Sequence, residues 1–284
     1  MTKVDLIASY WTLGGGALPH TDKEYSTFEF RTRVEHAARA GFKGLGLWHA
    51  DLIHVRKTHT LKEMRQILDA NGIQHVEIEF LADWFLGPGE RRTQSDATRQ
   101  LLFEAAEALG ARHIKVGDFF RTEVAMPKLI EEFVRLCKEA ENRGSRIGYE
   151  MMPFSWIDSL EKARELVVGA GARNGGVIFD LWHIVKLGIP YEKVMQFPKE
   201  YFLGVELNDG YLRNLPTTDL VEETTQYRCF CGQGEFDVKG FTSLMTKSGY
   251  GGPVGIEVLS KELRTWPLEK AVRTAYETTA AQFA

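Results

Sequence analysis

Four short stretches of the chain end an apolar run with a carboxylate. They are GYE with Gly148 and Glu150, IFD with Asp180, GVE with Gly204 and Glu206, and GIE with Gly255 and Glu257. A buried strand has no structural use for an acid at its tip, and carboxylates drawn together out of water cannot all ionise without a counter-charge. If the four runs are neighbouring strands, their period-two alternation turns every acid to one side. Three of the acids then stand one layer above a glycine. Basic residues can neutralise part of such a cluster, and Lys115 in HIKVGD is the one that the pattern turns the same way. A divalent cation is the simpler solution, because oxygen donors suit Mg²⁺ or Mn²⁺. Glu150, Asp180, Glu206 and Glu257 are therefore the expected metal ligands. The alternative is that single acids are salt-bridged to Lys or Arg from the loops. His183, three residues after Asp180 in DLWH, falls beyond the strand on the rim. There it can contact substrate or donate to a ligand.

The elements that must position these acids alternate along the chain. Strand-like runs cover 4–10, 44–49, 75–82, 113–118, 146–151, 176–183, 201–209 and 252–259, with helical patterns between them. In the helical stretch STFEFRTRVEHAARAG, Ser26 with Glu29 three residues on has capping-box spacing. That stretch ends at Gly41, and SDATRQLLFEAAEALG ends at Gly110, the usual helix stop. Eight strands in strict alternation with helices predict parallel pairing closed into a (β/α)8 barrel, which typically takes about 250 residues. A doubly wound open sheet is the runner-up. The chain has 284 residues without a composition break, so one domain over 1–284 is expected. The longest irregular stretch, about 210–236, is long enough for a lid or a subunit contact.

Composition narrows the function. The net charge is −4 with both signs interspersed, which argues against nucleic acid as a partner. The opening MTKVDLIASYW lacks the apolar run of a secretion signal, and no run is long enough to span a bilayer, so a cytoplasmic location is expected. Three cysteines, Cys137, Cys229 and Cys231, fit reduced thiols. CFC at 229–231 has no second Cys/His pair at zinc-site spacing. Trp11, Trp48, Trp84, Trp156 and Trp182 all end or follow strand runs, which places them at the catalytic face of a barrel. Tryptophan faces stack on sugar C–H surfaces and flat rings, so Trp48, Trp11 and Trp84 are expected substrate contacts, with Lys115 beside them. No basic glycine-rich phosphate cradle is present, although Arg228 before GQG offers one cation. A neutral sugar, cyclitol or glycoside is favoured over a sugar phosphate.

The order of these motifs is itself informative. An acid on the fifth strand is followed by D-x-x-H after the sixth, and by ELND on the seventh. G-x-G-x-x-D and an acidic last strand then come in GQGEFDVKGFTSLMTKSGYGGPVGIEV, residues 232–258. This order resembles the xylose isomerase-like TIM-barrel superfamily, with sugar and sugar-phosphate isomerases and epimerases as the nearest type, over nearly the whole chain. The resemblance implies one Mn²⁺ or Mg²⁺, with Co²⁺ as an alternative, holding vicinal oxygens of a keto-sugar. It implies Glu150 and Glu257 as acid and base, Asp180 as a ligand, His183 as a substrate contact and Arg213 on a substrate oxygen. Glu206 departs from it, since that ligand is commonly His, or Gln in some dehydratases. The implied chemistry removes a proton beside a carbonyl through a metal-stabilised enediolate. Returning the proton gives an isomer or epimer, and expelling a β-substituent gives a lyase acting on a 3-oxo-glycoside, an inosose or a dehydroshikimate-like substrate. The endonuclease IV-like branch needs a histidine-rich zinc site. His49 and His183 match two of its positions, but the strand-seven histidine and the late Asp-x-His pair are absent. A non-catalytic binding subunit, a homo-oligomer or a small partner subunit stay among the alternatives.

Overall fold

The computed structural model describes residues 4–213 and 215–284. The first three residues of the opening segment and Asn214 of the 210–236 stretch lie outside the described residues. All eight strand-like runs overlap a strand: β1 (Leu6–Ala8), β2 (Gly44–Trp48), β3 (His75–Leu81), β4 (His113–Val116), β5 (Ile147–Glu150), β6 (Gly175–Asp180), β7 (Phe202–Leu207) and β8 (Val254–Ile256). They pair in parallel in chain order, and β1 closes on β8. The barrel is thus a (β/α)8 barrel, and the open sheet is excluded.

Register explains how the acids meet. Asp180 is directly opposite Glu206, whereas Glu150 is opposite Ile178 and Glu206 is opposite Gly255. Glu150 and Asp180 are therefore staggered by two residues, as are Glu206 and Glu257. Strands tilted in a closed barrel need this stagger to bring side chains to one height. Gly148 is required beneath Glu150, because a Cβ there would lie 2.5 Å from Ile178 Cδ1. Branched and aromatic side chains between sheet and helices form the core, among them Leu45, Val76, Ile114, Phe133, Phe179 and Phe241.

Helix ends differ in detail from the sequence pattern. The helix Phe30–Ala40 is capped by Glu29, whose side chain accepts from the Thr32 N–H at 2.9 Å, and not by Ser26. Ser26 is spent elsewhere: its Oγ accepts from Phe28 N–H, and its own N–H donates to Asp51. Gly41 and Gly110 do end their helices, with φ of 114° and 63°. The 210–236 stretch contains a helix, Leu220–Gln226. Its return is fastened by the Asp209 carboxylate, which accepts from the N–H groups of Gly210, Gly232, Gly234 and Phe236. No helix among the described residues is long and apolar enough to cross a membrane.

Candidate active site

The C-terminal ends of β3 to β8 converge on a buried charged floor. Lys115 from β4 is its centre. Its Nζ donates to both oxygens of Glu206 at 2.7 Å and to Glu257 at 3.1 Å, and lies 2.8 Å from Glu79 and 3.7 Å from Glu150. A second cation enters from the loop. Arg228 Nη1 donates to Asp180 Oδ2 at 2.8 Å and to Glu257 Oε2 at 3.1 Å, with Thr224 Oγ1 accepting from Nε and Nη2. The Arg228 guanidinium lies over the Trp182 ring at 5.4 Å. Asp180 also caps the short helix Leu181–Lys186, its Oδ1 accepting from His183 N–H. That helix carries the His183 ring to within 3.5 Å of Glu150 Oε1.

Five carboxylates, Glu79, Glu150, Asp180, Glu206 and Glu257, thus face two cations. The imbalance is visible in their proton affinities. Burial pushes the Glu79 carboxyl up to about 7, helped by repulsion from Glu257 and Glu150 and opposed by Lys115. Burial and the Glu257 charge drive Glu206 well above the carboxylate range. Glu150 goes the other way. Burial works to raise it, but Lys115, His183 and Arg228 together outweigh burial and hold it at about 2. The same acids hold Lys115 and Arg228 more firmly protonated than usual, against the opposing effect of burial.

Above the floor a cleft opens between Glu150, Glu257, His183 and Arg228 on one side and Trp11 and Trp48 on the other. The two indoles are 5.0 Å apart between ring centroids. Phe80 and Phe119 extend the aromatic wall.

Several expected site residues fall elsewhere. Trp84 is fully buried against Phe85, Phe133 and Tyr149, so it is core. Trp156 and Trp182 do not line the cleft either, Trp182 being packed beneath Arg228. Arg213 is exposed, and the cation at the site is Arg228. Lys115 lies under the acids, buried and outside the cleft lining, ion-paired to Glu79, Glu150, Glu206 and Glu257. His183 is on a helix and 2% exposed, not on an open rim. Sequence reasoning passed over Glu79, although Glu77 and Glu79 show the same period-two spacing in VEIEF. Cys229 and Cys231 are free thiols pushed up to about 12 by burial, which suits neither nucleophile nor ligand.

The donor set fits a divalent cation. Glu150, Asp180, Glu206 and Glu257 each offer an oxygen within 4.8 Å of the others, and Glu150, Asp180 and His183 form an overlapping group. Glu150 Oε1 is buried with no hydrogen-bond partner among the described residues. His49 belongs to neither group, which leaves a histidine-rich cluster unsupported among the described residues.

A closed parallel barrel with acids converging at its C-terminal mouth defines a (β/α)8 protein with a candidate cation centre. The chain belongs to the xylose isomerase-like TIM barrel family, whose model matches residues 34–281. It is 28% identical over 238 residues to a 3-dehydroshikimate dehydratase of Pseudomonas aeruginosa, covering 83% of this chain and 37% of that one. It is 27% identical over 234 residues to an inosose isomerase of Bacillus velezensis, covering 79% and 81%. The chain therefore spans little more than a third of the dehydratase's length. Among solved structures, an IOLI protein with a bound zinc atom superposes with a TM-score of 0.80 at 19% identity, over 98% of each chain. A D-psicose 3-epimerase from Clostridium cellulolyticum H10 does so with a TM-score of 0.71 at 13% identity, over 98% of this chain and 99% of that one. These two likenesses show the fold.

Proposed function

We propose that the chain is a divalent-cation-dependent isomerase or epimerase of a keto-sugar or cyclitol, working by removal of a proton beside a carbonyl. The observation that carries this is the acid excess at the cleft floor, where five buried carboxylates meet two cations. Glu150, Asp180, Glu206 and Glu257 would hold the ion, and an all-oxygen set favours Mn²⁺ or Mg²⁺ over Zn²⁺. When bound, the cation supplies Lewis-acid polarisation of the substrate carbonyl.

The chain's own groups do the rest. Glu150 is kept ionised and its Oε1 has a free lone pair, so it is the proton acceptor. His183 Nε2 holds that carboxylate from 3.5 Å away. Glu257 opens on the same cleft, positioned by Lys115 and Arg228, and is the group that takes up a solvent proton and hands it to the substrate. Lys115 grips both oxygens of Glu206 and offsets the charge that this carboxylate carries when ionised. Glu206 then resembles a neutral donor more than an unpaired carboxylate would. Trp11 and Trp48 supply an apolar face for ring C–H groups.

A lyase is the second reading, and the similarity to dehydratases favours it. Elimination shares the first proton removal and differs only in the fate of a β-substituent. The test is solvent deuterium wash-in to a panel of ketoses, inososes, 3-oxo-glycosides and 3-dehydroshikimate, with Mn²⁺ present. Exchange or turnover with one class, lost in Glu150→Gln, supports the reading. No exchange with any of them contradicts it.

A further inference from the structure

Two acids that line the cleft are unused by the proton-transfer scheme: Glu79, which is paired with Lys115, and Glu24, which faces the aromatic wall. Glu24 comes from the segment between β1 and the helix Phe30–Ala40, and it lines the cleft on the aromatic side. Its position is built. Oε2 accepts from the Trp48 indole N–H at 3.0 Å, and Oε1 accepts from the His20 backbone N–H at 2.7 Å. The Tyr10 hydroxyl donates to its backbone carbonyl at 3.0 Å. Each carboxylate oxygen keeps a second lone pair for a ligand.

The cations give the complementary observation. Among the described residues, Arg228 is the one Lys or Arg that lines the cleft. Its groups are already committed: Nη1 to Asp180 and Glu257, Nη2 to Thr224 and His183, and Nε to Thr224. A ligand bearing a carboxylate away from its reacting carbonyl would meet four acids, Glu24, Glu79, Glu150 and Glu257, with no uncommitted Lys or Arg among the described residues of the lining to offset its charge. A ligand bearing hydroxyls there would donate to Glu24 while its ring lies on Trp48 and Trp11.

We propose that Glu24 is a specificity-determining residue that selects neutral polyhydroxylated rings and rejects carboxylated ones. This rests on the reading of the cleft as a substrate site. It narrows the substrate class to a cyclitol or keto-sugar and disfavours a dehydroshikimate-like acid.

The test compares two ring ketones, scyllo-inosose as the neutral probe and 3-dehydroshikimate as the anionic one. Kd is measured by tryptophan fluorescence quenching with the Mn²⁺-loaded wild type, Glu24→Gln and Glu24→Arg. Wild type should bind the neutral ketone at least about tenfold more tightly, the scale of one charge-assisted hydrogen bond gained against one like-charge contact avoided. Glu24→Gln should narrow that ratio about tenfold, and Glu24→Arg should invert it. Tighter binding of the anion to wild type, or an unchanged ratio in both variants, overturns the proposal while leaving deuterium exchange and the functional reading intact. Binding of neither probe to wild type also overturns the proposal, while deuterium wash-in across the wider panel decides the functional reading separately.

Discussion

The two halves of the barrel mouth use the same backbone for opposite chemistry. The tips of β4 to β8 bring Lys115, Glu150, Asp180, Glu206 and Glu257 together, with nearly every polar atom ion-paired or hydrogen-bonded. The loops and tips of β1 to β3 bring Trp11, Trp48 and Phe80, which pack on one another and on Tyr10 and Phe119. Buried ion pairs return little stability once desolvation is counted, whereas apolar contacts stabilise directly. The charged half therefore exists for what it can do. The aromatic half both holds the mouth together and shapes what enters it. Glu79 and Glu24 are the acids that cross to the aromatic side, and they lie at its edge with Lys115 and with Trp48.

Changes in the charged half should be the larger. Glu150→Gln removes the proposed proton acceptor and should lower deuterium exchange by about 10²- to 10⁴-fold, the usual worth of a general base. Circular dichroism should show the fold retained, and wild-type exchange in this variant would dissolve the distinction between the halves. Lys115→Met leaves four acids around an uncharged side chain. Loss of one partner from a buried charge network should cost about 3–5 kcal/mol in chemical denaturation without metal, and added Mn²⁺ should recover part of it. An unchanged unfolding midpoint would show that Lys115 is not the counter-charge.

Glu79 gives the comparison a pH axis. Its carboxyl is raised in the folded state, so the folded protein binds the proton more tightly than the unfolded chain does. Its contribution to stability is then fully present below the ordinary carboxylate range and is lost as pH rises through about 7. Replacing it by glutamine should be more favourable at pH 8 than at pH 5, by roughly 2–3 kcal/mol. Thermal unfolding at both pH values checks this, and the same difference at both would contradict it. Trp48→Phe should have the smallest effect. It trims a stacking face and frees Glu24, raising KM by about three- to tenfold while kcat changes little. A collapse of kcat there would mean that the aromatic half takes part in the reaction.

Most of the charged half was legible because strands print their facing in period two. Glu150, Asp180, Glu206 and Glu257 each end such a run, and the register brings them together through the barrel's stagger. Lys115 was legible for the same reason, but its depth was not, and at that depth it pairs with the acids and does not line the cleft. Arg228 pairs with Asp180 across 48 residues through a loop return fastened by Asp209. No local pattern encodes that, so the exposed Arg213 stood in for it. The aromatic half was legible in composition only. Trp84 and Trp48 both follow from strand runs, yet one packs into the core and the other faces the cleft. Glu24 lies in an irregular segment where periodicity says nothing.

The central claim is that the charged half is short of one divalent cation. Metal-depleted protein equilibrated with Mn²⁺ and counted by electron paramagnetic resonance tests it directly. The account predicts one bound ion per chain in wild type, one in Trp48→Phe, and weakened or lost binding in Asp180→Asn and Glu257→Gln. No bound ion in wild type, or an ion unaffected by both acid substitutions, would contradict it.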